Sequence, residues 1–168
     1  MTEPASKTKI FLARLVVVLM VAFVVLGLAM YGFSAEVRMR IWQNLLERAG
    51  GPMTFRFILQ PIMATIAAFL DGVKDARTGR APFLETVLTD PAKRAGRLQE
   101  AVIATARIIL LGLIIDAIYQ YSEFKTFHPA EAVIIALLLA FVPYVALRGI
   151  ISRIARWWIG RQSAGASR

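Results

Sequence analysis

The chain contains no cysteine and a single histidine, His128. A thiol nucleophile, a disulfide framework and a Cys/His zinc site are therefore all excluded, and nucleophilic or zinc chemistry has little material to work with. The redox compartment stays unread for the same reason. Acidic residues are scarce, 11 against 20 basic ones, and charged residues make up only 18% of the chain. A soluble domain carries about 25%. Gly-x-x-x-x-Gly-Lys-Ser/Thr, Gly-x-Ser-x-Gly and His-Glu-x-x-His are also missing, so phosphate-loop, hydrolase-elbow and zincin signatures are all absent. A disordered chain is excluded too, because its composition must be poor in apolar residues and this one is 58% apolar.

What fills the 168 residues is oil. Apolar residues account for 58% and the mean hydropathy is +0.62. Residues 15–33 run without a charge or a proline, close to the roughly 20 residues needed to cross about 30 Å of hydrocarbon. A cleaved signal peptide, with Lys7, Lys9 and Arg14 as its basic region, is the alternative; the run exceeds the usual core of about 7–15 residues, which favours a retained anchor. Residues 53–70 form a weaker segment holding Arg56, Gln60 and Pro61; it either crosses, lies in the interface or enters and returns. Residues 101–121 are interrupted by Arg107 and Asp116, and residues 131–150 contain Pro143, which predicts a kink.

The connections are equally informative. Residues 34–51 space Val37, Ile41, Trp42, Leu45 and Leu46 among Arg38, Arg40, Glu47 and Arg48, predicting a short helix on the membrane surface. Residues 71–100 are the most polar stretch and read as a basic loop. Within it Phe83, Leu84, Val87 and Leu88 predict an amphipathic patch lying on lipid, and Asp90-Pro91 a helix start that runs into the third span. His128-Pro129-Ala130-Glu131 is a second helix start, with an acid at the positive end of the dipole. The fold class expected is therefore all-α, an integral membrane helical bundle in one domain. Its spans fall at about residues 12–33, 53–70, 101–121 and 131–150. Three spans plus an interfacial or re-entrant segment is the alternative.

Basic residues mark the cytoplasmic side of a membrane protein. With four spans and the N-terminus inside, fourteen lie inside and five outside, Arg107 being counted with its span; with three spans and the N-terminus outside, the split is fifteen to four. Charge alone does not choose between them. Both place residues 71–100 and the C-terminal tail in the cytoplasm and residues 122–130 outside. Four spans are preferred because they bury Pro61. The formal charge of +9 then points to an anionic phospholipid bilayer as partner, since the basic residues flank spans instead of clustering on a soluble domain. Nucleic acid is not expected. Arg148, Arg153, Arg156, Trp157 and Trp158, in a basic amphipathic tail over residues 148–161, are candidate headgroup contacts, and Arg107 is expected to snorkel to phosphate.

Asp116 is out of place inside a span and requires a partner. Thr105, Ile109, Gly112, Asp116 and Gln120 recur at helical spacing as one small or polar stripe. In four spans Arg56 lies at the same depth, so an Arg56–Asp116 ion pair with Gln60 beside it is expected. An interhelical clamp is favoured over a proton relay, because no further acid or histidine lies in that span. Asp71 and Asp75, one turn apart, suit a divalent ion or, more simply, a solvated face paired with Lys74 and Arg77. His128 reads as a solvated loop residue. No cofactor, metal or catalysis is implied.

The stretch from Arg56 to Pro82, Asp116-Ala117-Ile118-Tyr119-Gln120 and Pro143-Tyr144 resemble a group of small bacterial multi-pass inner-membrane proteins over about the last two-thirds of the chain. The resemblance implies a bacterial cytoplasmic-membrane address and no particular activity. The expected role is an accessory, assembly or scaffolding subunit with a membrane-protein partner. The alternative is a transporter or channel component that forms a homo-oligomer around the Asp116 stripe.

Because the chain is free of native cysteine, single cysteines report sidedness without background. A membrane-impermeant maleimide is expected to label Lys125→Cys in intact cells and Thr78→Cys only after the cells are broken. Labelling of both from one side contradicts the charge-derived orientation.

Overall fold

A computed structural model describes residues 6–32, 34, 36, 37, 39–43, 50 and 54–166. Among them helix is the only regular structure. Helix α1, Lys7–Tyr31, follows from the uninterrupted apolar run and stops where Gly32 adopts φ +67°, its N–H bonding the Leu28 carbonyl at 2.9 Å. Residues 39–43 are helical and Trp42 is exposed; Arg38, Leu45, Leu46, Glu47 and Arg48 of the expected surface helix lie outside the described residues.

Helix α2, Phe55–Arg77, continues through Pro61 and spans about 34 Å. It ends seven residues beyond the predicted boundary at Leu70 and makes its most extensive interface along the final helix. The polar stretch 71–100 is thus no loop. A turn at residues 78–82, a short helix α3 (Phe83–Thr89) and the capping Asp90 join α2 to helix α4, Pro91–Tyr119. Asp90 accepts the Lys93 backbone N–H at 3.2 Å. Outside the spans, the Lys93 side chain and backbone N–H also hold the Asp90 carboxyl below the usual carboxylate range, so this contribution is complete at neutral pH and fades as acid protonates it.

A π-helical turn, Gln120–Phe124, closes α4, and Lys125 is left-handed at φ 53°. Helix α5 (Pro129–Ala136), a second π-helical turn (Leu137–Phe141) and helix α6 (Val142–Ala166) follow one another without a break. That second turn lies directly before Pro143, whose missing N–H leaves a carbonyl unmatched in an α-helical ladder; the wider turn absorbs the irregularity. Neither π turn is legible from apolar spacing.

Four helical segments are long and apolar enough to cross a membrane: Lys7–Tyr31, Phe55–Arg77, Pro91–Glu123 and Pro129–Arg161. They alternate in direction. One end of the bundle carries Lys7, the α2–α4 connection and Arg161 (the tail end); the other carries Tyr31, Phe55 and the turn before Pro129 (the turn end). Large apolar side chains cover the outside, among them Val18, Val21 and Val25 on α1 and Ile58, Ile62, Ile66 and Phe69 on α2. A surface of this kind suits hydrocarbon, and the chain is a multi-pass membrane protein by architecture.

Lipid supplies no hydrophobic drive between helices, so close approach of small residues must hold them together. Ala64 and Ala68 of α2, Ala101 and Ala106 of α4, Ala132 and Ala136 of α5 and Ala140 of the π turn are all buried. Gly27 touches Ala130: a Cβ there would sit 2.5 Å from the Ala130 Cβ. At Gly72 a Cβ would meet Ile151 Cγ2 at 2.9 Å and the Arg148 carbonyl oxygen at 3.0 Å.

Gly72→Ala is therefore expected to lower the melting temperature in detergent, at a cost of about 1–3 kcal/mol from overpacking. Gly149→Ala, which meets nothing within 4 Å, is expected to leave it unchanged or raise it. Equal behaviour of the two variants contradicts a tight α2–α6 seam.

Candidate functional site: two polar layers in an apolar bundle

At the turn end the first layer is built from α2 and α4. Arg56 sits in the first turn of α2 with its side chain turned inward, while Phe55, Ile58, Leu59 and Ile62 cover the outside of that end of the helix. Its Nη1 donates to Asp116 Oδ1, and its Nε donates to Gln60 Oε1 at 2.9 Å. Arg56 is 2% exposed and Asp116 0%. Gln60 completes the bridge, its Nε2 donating to the Ile108 carbonyl at 3.2 Å. It fits only because Gly112 faces it: a Cβ at Gly112 would fall 2.2 Å from Gln60 Nε2.

Gln120, one turn beyond Asp116, donates to Asp116 Oδ2 and to the His128 carbonyl, and accepts the His128 backbone N–H. The structure thus brings Arg56, Gln60, Asp116 and Gln120 together and ties them to the cap of α5. His128 is not a freely solvated loop residue. It is half-buried, its ring 4.7 Å from that of Tyr31. Glu131, taken from sequence as a helix-dipole acid, is buried and pairs with Arg40 at 3.1 Å, while the Arg40 guanidinium lies 5.2 Å from the Tyr31 ring centre.

The second layer, at the tail end, differs from the sequence expectation. Asp75 is 1% exposed and does not sit on a solvated face with Lys74 and Arg77. Arg97 of α4 donates to Asp75 Oδ1 and Oδ2 at 3.1 and 3.2 Å. Arg148 of α6 donates to the same two oxygens at 3.1 and 2.8 Å. Four N–H bonds fill roughly the four acceptor sites of one carboxylate. Glu100 accepts from Arg80 at 2.7 Å and from Arg97 and Arg148 at 3.2 Å each. Asp71 accepts the Tyr144 hydroxyl at 2.6 Å, and that hydroxyl accepts Arg148 Nη1 at 2.8 Å. Phe83, expected on lipid, is instead buried beneath this cluster, with Arg148 at 5.0 Å and Arg97 at 5.5 Å from its ring centre. Leu84 and Leu88 of the same short helix remain exposed.

Arg148 is accordingly withdrawn from the candidate headgroup contacts. It is 3% exposed and points to the bundle axis. The spacing that hints at this is a pair of one-turn steps, Asp71–Asp75 and Tyr144–Arg148, on antiparallel neighbours; Arg80, Arg97 and Glu100 carry no such signal. Arg107 is exposed on the outer face of α4. Arg153, Trp157 and Trp158 are 68%, 58% and 61% exposed, and Arg156 is half-buried. Among the described residues no three His, Asp or Glu side chains converge on a metal-sized space.

Between the layers lie Ala64, Ala68, Thr105, Ala106, Ile109 and Ala136, each 0–1% exposed. Carboxylates held by donors from facing helices and separated by packed alkyl groups make strong cross-links. No family model, curated protein or solved structure matches the chain.

Removing one member of a buried ion pair leaves the other uncompensated, at a cost of about 3–5 kcal/mol. Arg148→Gln is expected to show a loss of that order in detergent unfolding, and Arg153→Gln one within about 0.5 kcal/mol. Equal, small effects would return Arg148 to the lipid-facing rim.

Proposed function

We propose that this chain is an accessory, assembly or scaffolding subunit of a bacterial cytoplasmic membrane, without catalysis of its own. The observation that carries the reading is that its buried aspartates are held by donors of the same chain. Asp116 is held by Arg56 and Gln120, and Asp75 by Arg97 and Arg148, all from the same chain. A relay requires a carboxylate that gains and loses protons during its cycle; here each would first have to give up strong donor bonds. A rigid, internally cross-linked bundle is what a platform for another membrane protein requires.

The tail end faces the cytoplasm in this reading, since the basic excess gathers there. Exposed Arg153, Trp157 and Trp158 then lie in the anionic headgroup layer. A transporter or channel component assembled around the Asp116 stripe is the rival role. Against it, Thr105, Ile109, Gly112, Asp116 and Gln120 are already covered by the chain's own helices, so no second copy has that stripe to bind.

Purification from mild detergent with a terminal tag separates the two. A membrane-protein partner in fixed stoichiometry, retained by the wild-type chain, is the expected result. A homo-oligomer with no second polypeptide would support the transport role and overturn this one.

A further inference from the structure

The arginines at the tail end divide into two sets. Arg80, Arg97 and Arg148 are consumed by Asp75 and Glu100. Arg153 and Arg156 are not. Arg156 Nε donates to the Ser152 carbonyl at 3.3 Å, while its Nη2 is buried with no acceptor among the described residues. A buried guanidinium nitrogen without a partner is rare in a folded protein, because losing water without gaining a bond is costly. Arg153 lies three residues earlier on the same helix face, and its nearest acid, Glu85, stands 3.7 Å away, beyond hydrogen-bond length.

Both side chains line one cleft. Gly79, Ala81 and Pro82 of the α2–α3 turn form the facing wall, Glu85 stands at one side, and the volume is about 600 Å³. Exposed Trp157 and Trp158 follow Arg156 directly on α6, and exposed Leu84 precedes Glu85 directly on α3. Two guanidinium groups with unused donors, on a helix whose next residues are exposed tryptophans, match a phosphate group at a membrane surface.

We propose that this cleft is an anion site for a phosphate mono- or diester, held by Arg153 and Arg156, with Glu85 as the gate that an incoming phosphate displaces. The phosphate comes either from an anionic phospholipid headgroup or from a free phosphate compound. The site rests on the bilayer placement above but not on the subunit role. Its two guanidinium forks would grip two phosphate oxygens each, so lysine at position 156 keeps the charge and loses the fork.

The test uses the full-length chain. Native mass spectrometry counts phosphatidylglycerol retained from mixed phosphatidylglycerol–phosphatidylcholine micelles, and inorganic phosphate is titrated by thermal shift in phosphatidylcholine micelles. Arg156→Gln and Arg156→Lys are each expected to weaken retention by about tenfold, the loss of one charge-assisted contact. Arg161→Gln removes the same charge from the same helix, where Arg161 stacks on Trp157 at 4.5 Å, and is expected to leave retention unchanged. Glu85→Gln is expected to strengthen it. Retention of phosphatidylglycerol without a phosphate shift identifies the lipid as the source, and a phosphate shift alone identifies a free compound. Equal losses in Arg156→Gln and Arg161→Gln would reduce the effect to general charge and overturn the site. A wild-type chain that inserts into phosphatidylcholine vesicles yet prefers neither ligand overturns the site alone. One that fails to insert into vesicles of any headgroup overturns the bilayer placement and the site with it.

Discussion

A carboxylate inside a bilayer has no water to neutralise it, so every buried acid must be met by a donor from another part of the chain. That constraint organises this bundle. Asp75 on α2 takes its hydrogen bonds from elsewhere, from Arg97 of α4 and Arg148 of α6. Three spans are thereby fixed at a single point. Asp116 does the same at the opposite end, joining α4 to α2 through Arg56 and, through Gln120, to the cap of α5. Neither helix of either pair can slide or rotate by a turn without stranding a charge.

The small residues matter because these bonds are short-ranged. Alanines and glycines along the seams let backbones approach until a glutamine at position 60 reaches the α4 backbone and an arginine at 148 reaches α2. Packing and ionic bonding are coupled here: Gly112 is small so that Gln60 has room, and Gln60 in turn holds the Arg56 guanidinium. α1 stands outside this scheme. It packs on α4 and α5 through Ala13, Val16 and Gly27 and carries none of the described bonds of either clamp. The second layer also explains the shape of the tail end, since Phe83 must dip inward to cover the Arg97 and Arg148 guanidinium groups.

Much of this is legible in the amino-acid sequence. Apolar runs locate the four spans, and equal depth along antiparallel helices is enough to pair Arg56 with Asp116. The tail-end cluster resisted the same logic for a physical reason. Near a span's end an arginine has two stable fates, snorkelling to phosphate or turning inward to an acid, and the sequence of Arg148 suits both. Its choice depends on the azimuth of α6, which is set by π-helical register at residues 137–141 and by the Gly72 contact. Apolar periodicity cannot report either. Asp75 likewise had sequence-local partners in Lys74 and Arg77 that outcompeted distant ones on paper and lost to bidentate geometry in the fold.

A chain that spends its buried carboxylates Asp75 and Asp116 on internal bonds is suited to hold its shape and to present surfaces. Its exposed resources are apolar spans and a basic, tryptophan-bearing rim. The most direct measurement of this account is a double-mutant cycle in detergent on Arg56→Met and Asp116→Leu. Each single change is expected to be severely destabilising. The pair together should be far milder, with a coupling energy of about 2 kcal/mol or more. Additive losses, with coupling near zero, would contradict it.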